Sequence, residues 1–202
     1  MDAESPKRSA TRKALVDSAF QLFEAKGFDE VTIDDIAIQA GVSRRTFFRY
    51  YPNKEAIVYP YSFERIDLFY NLVMQEAGGK AAKLGHVREI FVKLTEVWLA
   101  DVEQMRVRRK LIASTPSLTM YDLWVSQKWS ESMALAFDGM PNDGNLARVS
   151  VNSRLLAGAI IGSLRHVFNI WQDAGGDADL KALGLRAFDM IAHGYEQASL
   201  EA

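Results

Sequence analysis

The sequence has no cysteine among its 202 residues and only three histidines. Disulfide bonds and thiol chemistry are therefore excluded, and a reducing compartment fits this composition. His86, His166 and His193 are far apart and lack the spacing of metal ligands, and no glycine-rich phosphate loop follows a strand pattern. These absences argue against enzyme chemistry, so we expect a non-enzyme without a metal or cofactor.

Long apolar runs and a strong charge imbalance are also missing. No apolar stretch approaches the roughly 20 residues that a membrane-spanning helix requires, and the polar start, MDAESPKRSA, contains no hydrophobic signal segment. We therefore expect a cytoplasmic protein without a membrane partner. Because the formal net charge is only −2, any binding of nucleic acid must come from local clusters of cations.

The chain does contain a succession of helical patterns. Hydrophobic residues make up 49% of the sequence and recur at helical rather than strand spacing. Beyond the N-terminal region, this spacing and the Gly and Pro breaks predict helices at roughly 87–113, 117–137, 145–173 and 179–199. The predicted fold is all-α, with a small N-terminal head in residues 1–54 and a helical body in residues 55–202.

The segment from Thr32 to Val58 predicts a helix-turn-helix. Thr32 and Asp35 have the spacing of a capping box at the start of one short helix. Gly41 lies where that helix must end and the chain reverse, because a residue without Cβ adopts the left-handed conformation easily. Ser43 is then placed to cap a second helix. A unit of this kind docks its second helix in the major groove of DNA.

The second helix has two different sides. Its buried side is predicted to carry the aromatic residues Phe47, Tyr50 and Tyr51. Its outward side carries Arg45, Phe48 and Arg49, with Thr46 at the flank. Since arginine can pair with guanine through two hydrogen bonds, Arg45 and Arg49 are the candidate base readers. The predicted DNA-binding residues are Thr32, Ser43, Arg44, Arg45, Thr46, Phe48, Arg49, Tyr50 and Lys54.

Further cations lie on both sides of this unit. Asn53 can cap the next helix and leaves Lys54 near free backbone amides, a combination that suits a phosphate oxygen. Four cations come early in the chain, at Lys7, Arg8, Arg12 and Lys13. The start of the chain is either a loose basic arm that adds phosphate contacts or simply a disordered tail.

The pattern from Thr11 to Val58, TRKALVDSAFQLFEAKGFDEVTIDDIAIQAGVSRRTFFRYYPNKEAIV, closely resembles the N-terminal domain of the TetR (tetracycline repressor) family of bacterial regulators. The resemblance implies a DNA-binding head joined to an all-helical body that binds a ligand and dimerises. We therefore expect a repressor that binds double-stranded DNA at a palindromic operator as a homodimer and is released by a small apolar or amphipathic effector. Arg45 stands where most members have glycine, and Phe48 where tyrosine is common, so the operator sequence cannot be carried over from relatives.

Three features of the body carry functional expectations. Pro60 falls inside the predicted fourth helix and should kink or break it, as a hinge or as a packing adjustment. The last two helices look like the family's dimer interface, the alternative being two core helices, and the predicted interface residues are Leu155, Ala159, Gly162, Phe188, Ile191 and Tyr195. The predicted effector lining, for which the alternative is ordinary packing, is Trp98, Met120, Trp124 and Phe168.

A second function class stays open at this point. The chain could be a helical protein-interaction module whose head has lost sequence-specific DNA binding and whose apolar helices recruit a partner. Salt dependence distinguishes the two, because a protein that neutralises several phosphates loses affinity for DNA steeply as salt rises.

Overall fold

The computed structural model describes residues 5–99 and 102–194, and within them every side chain except those of 96–99, 103 and 104. Across these ranges the chain is helical and has no strand, which confirms the predicted all-α fold. The helices of the head are α1 (Pro6–Lys26), α2 (Ile33–Gln39) and α3 (Arg44–Tyr50), followed by a 3-10 helix (Glu55–Val58). The body contains α4 (Ser62–Glu76), α5 (Leu84–Leu99), α6 (Val102–Ser114), α7 (Pro116–Phe137), a 3-10 helix (Leu146–Arg148), α8 (Val151–Asp173) and α9 (Leu180–His193).

The chain divides into two compact units. The first runs to Tyr61 and also includes Lys110–Asp122, and the second contains Ser62–Arg109 and the chain from Leu123 onward. Two helices, α6 and α7, therefore contribute residues to both units. The functional boundary at residue 54 stays a prediction. No helix in the described ranges is long and apolar enough to cross a membrane.

The core of the first unit forms around α1. Leu15, Ala19 and Phe23 lie one turn apart on this helix and are buried, and the Phe23 ring centroid is 4.9 Å from that of Phe28. This apolar side packs against α2 and the 3-10 helix that follows α3. This packing is consistent with a role of α1 in supporting α2 and α3, the two helices of the helix-turn-helix.

The expected loose basic arm is wrong for residues from Pro6 onward. Lys7 and Arg8 lie in the first turn of α1, and the Arg8 amide donates to the Ser5 carbonyl at 2.8 Å. Proline at the start of a helix explains this order, because its fixed φ angle suits the first helical position and its missing N–H is not needed there. Residues 1–4 lie outside the description.

At Pro60 the predicted helix is interrupted and not merely bent. The predicted fourth helix from Asn53 is replaced by the 3-10 helix Glu55–Val58, whose Ala56 amide donates to Asn53 Oδ1 at 2.8 Å. Tyr61 then has a φ angle of +67°, and α4 begins at Ser62. The cause is the ring of Pro60, which removes the backbone donor that a continuous helix would need. The hinge role stays a prediction.

The second unit has its own core, built by α4, α5, α7, α8 and α9. Phe188 on α9 is only 1% exposed, and its ring centroid lies 5.4 Å from that of Phe91 on α5. Gly184 allows this approach, since a Cβ there would lie 2.2 Å from the Phe91 ring. Phe188 is therefore a core residue, and its prediction as a dimer contact is wrong.

The start of α8 is fixed by a carboxylate. The predicted helix from residue 145 begins instead at Val151, with Ser150 as its cap. Asp138 accepts hydrogen bonds from the Ser153 hydroxyl and from both the amide and the hydroxyl of Ser150, the last at 3.0 Å. These bonds, that from Ser153 above all, hold the pKa of Asp138 below its ordinary value.

The Asp138 contacts predict a specific acid sensitivity. A carboxylate with a lowered native pKa stabilises the fold above the ordinary aspartate value, and this contribution is lost as pH falls below about 4. We expect Asp138→Asn to be less stable than wild type at neutral pH, with the difference shrinking toward pH ~3. Urea unfolding at several pH values measures this, with Asp173→Asn at an exposed position as the control. A difference that does not change with pH would contradict the assignment.

Candidate nucleic-acid interface

The first helix of the helix-turn-helix, α2, begins with a complete capping box. The Asp35 amide donates to Thr32 Oγ1 at 3.1 Å, and the Thr32 amide donates to Asp35 Oδ2 at 2.9 Å. The Thr32 hydroxyl also donates to Asp35 Oδ2, at 2.6 Å. The side-chain and backbone bonds from Thr32 hold the pKa of Asp35 below its ordinary value. The capping prediction is thus confirmed, and the Thr32 hydroxyl and the Asp35 carboxylate both help to fix the start of α2.

The turn between α2 and α3 is a Schellman motif. The Gly41 amide donates to the Ile38 carbonyl at 3.0 Å, and the Val42 amide donates to the Ala37 carbonyl at 2.9 Å. Gly41 has a φ angle of +67°, a conformation that side chains with Cβ adopt at a cost. The turn therefore fixes the direction in which α3 leaves α2.

Ser43 caps α3 as predicted. Its Oγ accepts from the Thr46 amide at 3.1 Å and lies 2.9 Å from Thr46 Oγ1. Phe47 on the inner side is fully buried, and its ring centroid lies 5.8 Å from that of Tyr51. The hydroxyls of Ser43 and Thr46 lie within hydrogen-bond distance of each other. The cap therefore fixes the start of α3, and the packing of Phe47 fixes its inner side.

The outward side of α3 presents cations. Arg45 and Arg49 are exposed, and neither forms an ion pair with any residue in the described ranges. Phe48 is exposed beside them, whereas Tyr50 is half-buried. The structure thus places the two predicted base readers on the exposed side of α3, which agrees with the helical-wheel prediction, and base reading itself stays a prediction.

Arg44 has a partner that the sequence did not reveal. Its Nη1 donates to Asp34 Oδ2 at 2.7 Å, and its Cζ lies 5.5 Å from the centroid of the Phe48 ring. Asp34 is on α2 and Arg44 opens α3, so the pair crosses the turn. The carboxylate orients this guanidinium and partly neutralises it, which distinguishes Arg44 from Arg45.

Lys54 has a structural role in the head. Its ammonium donates to the carbonyls of Phe28 and Val31 at 2.7 and 2.8 Å and lies 4.2 Å from the centroid of the Phe28 ring. These bonds join the end of the α1–α2 loop to the segment after α3. The sequence placed this ammonium beside free amides, but in the folded head it points to carbonyl groups. The phosphate contact that the sequence predicts competes with this structural role, and replacing Lys54 distinguishes the two.

We expect Lys54→Met to destabilise the fold by about 1.5–3 kcal/mol, the usual contribution of hydrogen bonds to a charged group. The salt dependence of DNA binding should stay the same, since the ammonium is committed inside the head. Urea unfolding and duplex titrations measure the two effects, with the exposed Lys13→Met as the control. Unchanged stability together with a salt slope shallower by about 0.9 per chain would instead show a phosphate contact.

The predicted effector residues fall in both compact units of the chain, Met120 in the first and the others in the second. Met120 and Trp124 on α7 are 66% and 43% exposed, and the Trp124 ring contacts Phe63 at 5.5 Å between centroids. Phe168 is half-buried and lies 4.8 Å from the Arg109 guanidinium carbon. The side chain of Trp98 is outside the description. The assignment of these residues to an effector lining stays a prediction.

The predicted dimer residues separate into two groups. Leu155, Ala159 and Gly162 lie on the exposed side of α8. Ile191 is partly buried against the core that contains Phe188, and Tyr195 lies outside the described residues. Among the predicted residues in the described ranges, the three on α8 are the exposed ones. An open groove of about 360 Å³ between α7 and α8 adjoins this surface and includes Leu155 and Gly158 in its lining.

Comparisons with known proteins agree with this geometry. Residues 15–59 match the family described as bacterial regulatory proteins, tetR family. A putative mycofactocin biosynthesis transcriptional regulator, MftR of Mycobacterium tuberculosis, is 27% identical over 191 residues, covering 95% of this chain and 94% of that protein.

Two solved structures share the fold over most of the chain. The complex of SmeT, from Stenotrophomonas maltophilia, with triclosan is 20% identical with a TM-score of 0.60, covering 92% of this chain and 91% of that one. FadR from Thermus thermophilus, a TetR-family repressor in complex with lauroyl-CoA, is 21% identical with a TM-score of 0.57, covering 91% and 94%. With the capped helix-turn-helix and its outward arginines, the match over residues 15–59 identifies this segment as the DNA-binding domain of the tetR family of bacterial regulatory proteins, and the solved structures show that the rest of the chain shares the helical fold of such regulators.

Proposed function

We propose that this regulator is a repressor that binds a palindromic operator as a homodimer and leaves it when a small apolar or amphipathic effector binds. The observation that supports this most strongly is the exposed guanidinium of Arg45, which forms no ion pair with the described part of the chain and lies on a helix fixed by a capped start and a Schellman turn. Such a group can form two hydrogen bonds with a guanine edge. As a regulator of bacterial genes, the protein would act in the cytoplasm.

A dimer is required because one seven-residue helix reads few base pairs. A two-fold pair places two copies of α3 in successive major grooves, ~34 Å apart, and so predicts a palindromic site. The exposed side of α8 is the surface we assign to this pairing, since Val151 and Leu155 are 68% and 67% exposed there. Exposed aliphatic side chains in a row are typical of a contact surface.

The small residues of α8 support the same assignment. Gly158 and Gly162 lie on the exposed side, and a Cβ on either would meet no atom within 4 Å. They therefore have no packing role in the described part of the chain. Glycines at this spacing allow another helix to approach closely, and a second copy of α8 is the partner that a two-fold axis supplies.

The effector class follows from composition and from the relatives. The second unit is rich in aromatic side chains, among them Phe69, Phe91, Trp129 and Trp171. SmeT binds triclosan and the Thermus FadR binds lauroyl-CoA, both of which have large apolar parts. We assign this chain a ligand of that kind, bound between helices of the body, where helical bundles commonly hold ligands.

Regulation then requires a connection between body and head. The Tyr59 hydroxyl donates to Asp122 Oδ1 at 3.0 Å, and both residues belong to the first unit. Asp122 is on α7, which continues without a break into the second unit. An effector that shifts α7 would thus act on the segment after α3. The coupling must be reciprocal and is typically ~1–3 kcal/mol.

The test is selection of bound sequences from a random duplex pool, followed by titration of the selected duplex with lauroyl-CoA and, separately, triclosan. We expect a palindromic motif and a weaker complex with at least one of these probes. No enriched sequence, with duplex binding that is weak at all salt concentrations, would favour the protein-interaction module. A palindrome whose affinity is the same with either probe bound would remove the proposed release mechanism.

A further inference from the structure

An ion pair crosses the turn of the helix-turn-helix. Arg44 opens α3, and its Nη1 donates to Oδ2 of Asp34, in the first turn of α2, at 2.7 Å. Both side chains are more than half exposed, at 58% for Arg44 and 56% for Asp34. Exposed ion pairs contribute little to the stability of a folded protein. The main effect of this pair is therefore on the position of the Arg44 side chain.

The same guanidinium contacts an aromatic ring on its own helix. The Cζ atom of Arg44 lies 5.5 Å from the centroid of the ring of Phe48, one turn later on the same side of α3. The Phe48 ring packs edge-to-face on the buried ring of Phe47, with 5.7 Å between the centroids. Arg44 is therefore held between a carboxylate on α2 and a ring that rests on the core of the head.

The ion pair uses only part of the guanidinium. Arginine has five N–H donors in one planar group, and the bond to Asp34 comes from Nη1. The Nε and Nη2 donors of Arg44 form no hydrogen bond with the described part of the chain. Two such donors side by side match the O6 and N7 acceptors of guanine in the major groove. One edge of Arg44 is thus held by the protein, and another can meet a base.

Holding the guanidinium affects how well it can discriminate between bases. A fixed side chain loses less conformational freedom on binding than a mobile one does. It also cannot turn away from a base pair that lacks the right acceptors, so its donors are then left unpaired. Binding of DNA removes water from around the ion pair and strengthens its attraction. Asp34 can therefore influence the choice of base through Arg44.

We propose that Asp34 is a positioning residue, which holds Arg44 so that its Nε and Nη2 donors read a guanine of the operator. This rests on the proposed DNA-binding function and adds a second base position to that of Arg45. The place of Arg44 supports the assignment, because recognition helices contact bases mainly through their N-terminal residues. A carboxylate that merely lay near DNA would repel the phosphates of every sequence alike.

The test measures the base preference of the full chain by fluorescence anisotropy, with the selected duplex and all its single base-pair substitutions. A paired arginine discriminates against the wrong base by about 5- to 150-fold. In Asp34→Asn this ratio should fall by about threefold or more at one symmetric pair of positions, distinct from the pair that Arg45→Ala affects. Affinity for unrelated duplexes should stay equal or rise, since a charge that repels phosphate is removed.

The matched control is Asp29→Asn, which makes the same chemical change at an exposed position before α2, where the carboxylate has no ion pair with described residues. Arg44→Ala should lose discrimination at the same positions as Asp34→Asn. In the Arg44→Ala background, Asp34→Asn should have no further effect on base preference, because its partner is absent. Asp34→Glu, which keeps the charge, should retain most of the discrimination. Thermal unfolding of each variant shows that it is folded during the titration.

The outcomes separate this inference from the proposed function. If Arg45→Ala loses discrimination but Asp34→Asn has the wild-type profile, the positioning role is wrong and the function stands. An equal and uniform change in Asp34→Asn and Asp29→Asn would show general repulsion and would also overturn the role. A change in base preference that persists without Arg44 would show that Asp34 acts on a base directly, which overturns the route through Arg44. A wild-type chain that binds no duplex would overturn both the inference and the function.

Discussion

Replacing Arg45 with alanine is expected to weaken operator binding by about 1–3 kcal/mol in each half-site, the usual contribution of an arginine that pairs with guanine. The physical reason is the position of the side chain. Arg45 is exposed near the start of α3 and is not engaged by any carboxylate in the described ranges, in contrast to Arg44 and its partner Asp34. Because a dimer uses the residue twice, the total loss should reach about 2–6 kcal/mol.

Anisotropy titrations with the selected duplex measure this loss. Arg148→Ala is the control, because it removes the same side chain from an exposed position in the second unit. The affinity of the control should stay within a factor of about two of wild type, since surface substitutions away from a contact have small effects. Equal affinities of the Arg45 and Arg148 variants would show that Arg45 does not contact the operator.

Replacing Leu155 with glutamate is expected to convert the dimer into a monomer and with it to remove tight operator binding. Leu155 is 67% exposed and lies beside Gly158 on the surface assigned to pairing. A two-fold axis brings two copies of the new carboxylate into one apolar contact. The two desolvated charges should together cost about 2–4 kcal/mol or more of dimer stability.

Sedimentation velocity at micromolar concentration measures the oligomeric state. Met120→Glu is a closely matched control, because Met120 is also apolar and 66% exposed but lies on α7 in the first unit. The Met120 variant should remain a dimer. A dimeric Leu155→Glu variant would place the subunit contact elsewhere on the molecule.

Local sequence signals predicted α2, the turn and α3 well. The capping box at Thr32, the turn at Gly41 and the cap at Ser43 all depend on residues within about four positions of each other, a distance over which side-chain chemistry alone decides backbone geometry. The outward placement of Arg45 follows from helical periodicity once the cap is known. These features were therefore predictable before any tertiary contact was seen.

Predictions that depended on distant contacts were less successful. Lys54 points to carbonyls of Phe28 and Val31, more than 20 residues away, and no local pattern indicates this. Phe188 has the same helical spacing as an interface residue would have, because a core helix and an interface helix are both apolar on one side. Periodicity identifies the apolar side of α9 but not what covers it. The ring of Tyr50 contacts Arg8 for a similarly non-local reason.

The most direct measurement of the central claim is the binding profile of wild type and Arg45→Ala across all single base-pair substitutions of the selected operator. The structure holds Arg45 outward on a fixed helix, so the variant should lose discrimination at one symmetric pair of positions and keep it elsewhere. Profiles that differ only by a uniform loss of affinity, or not at all, would contradict base reading by this helix.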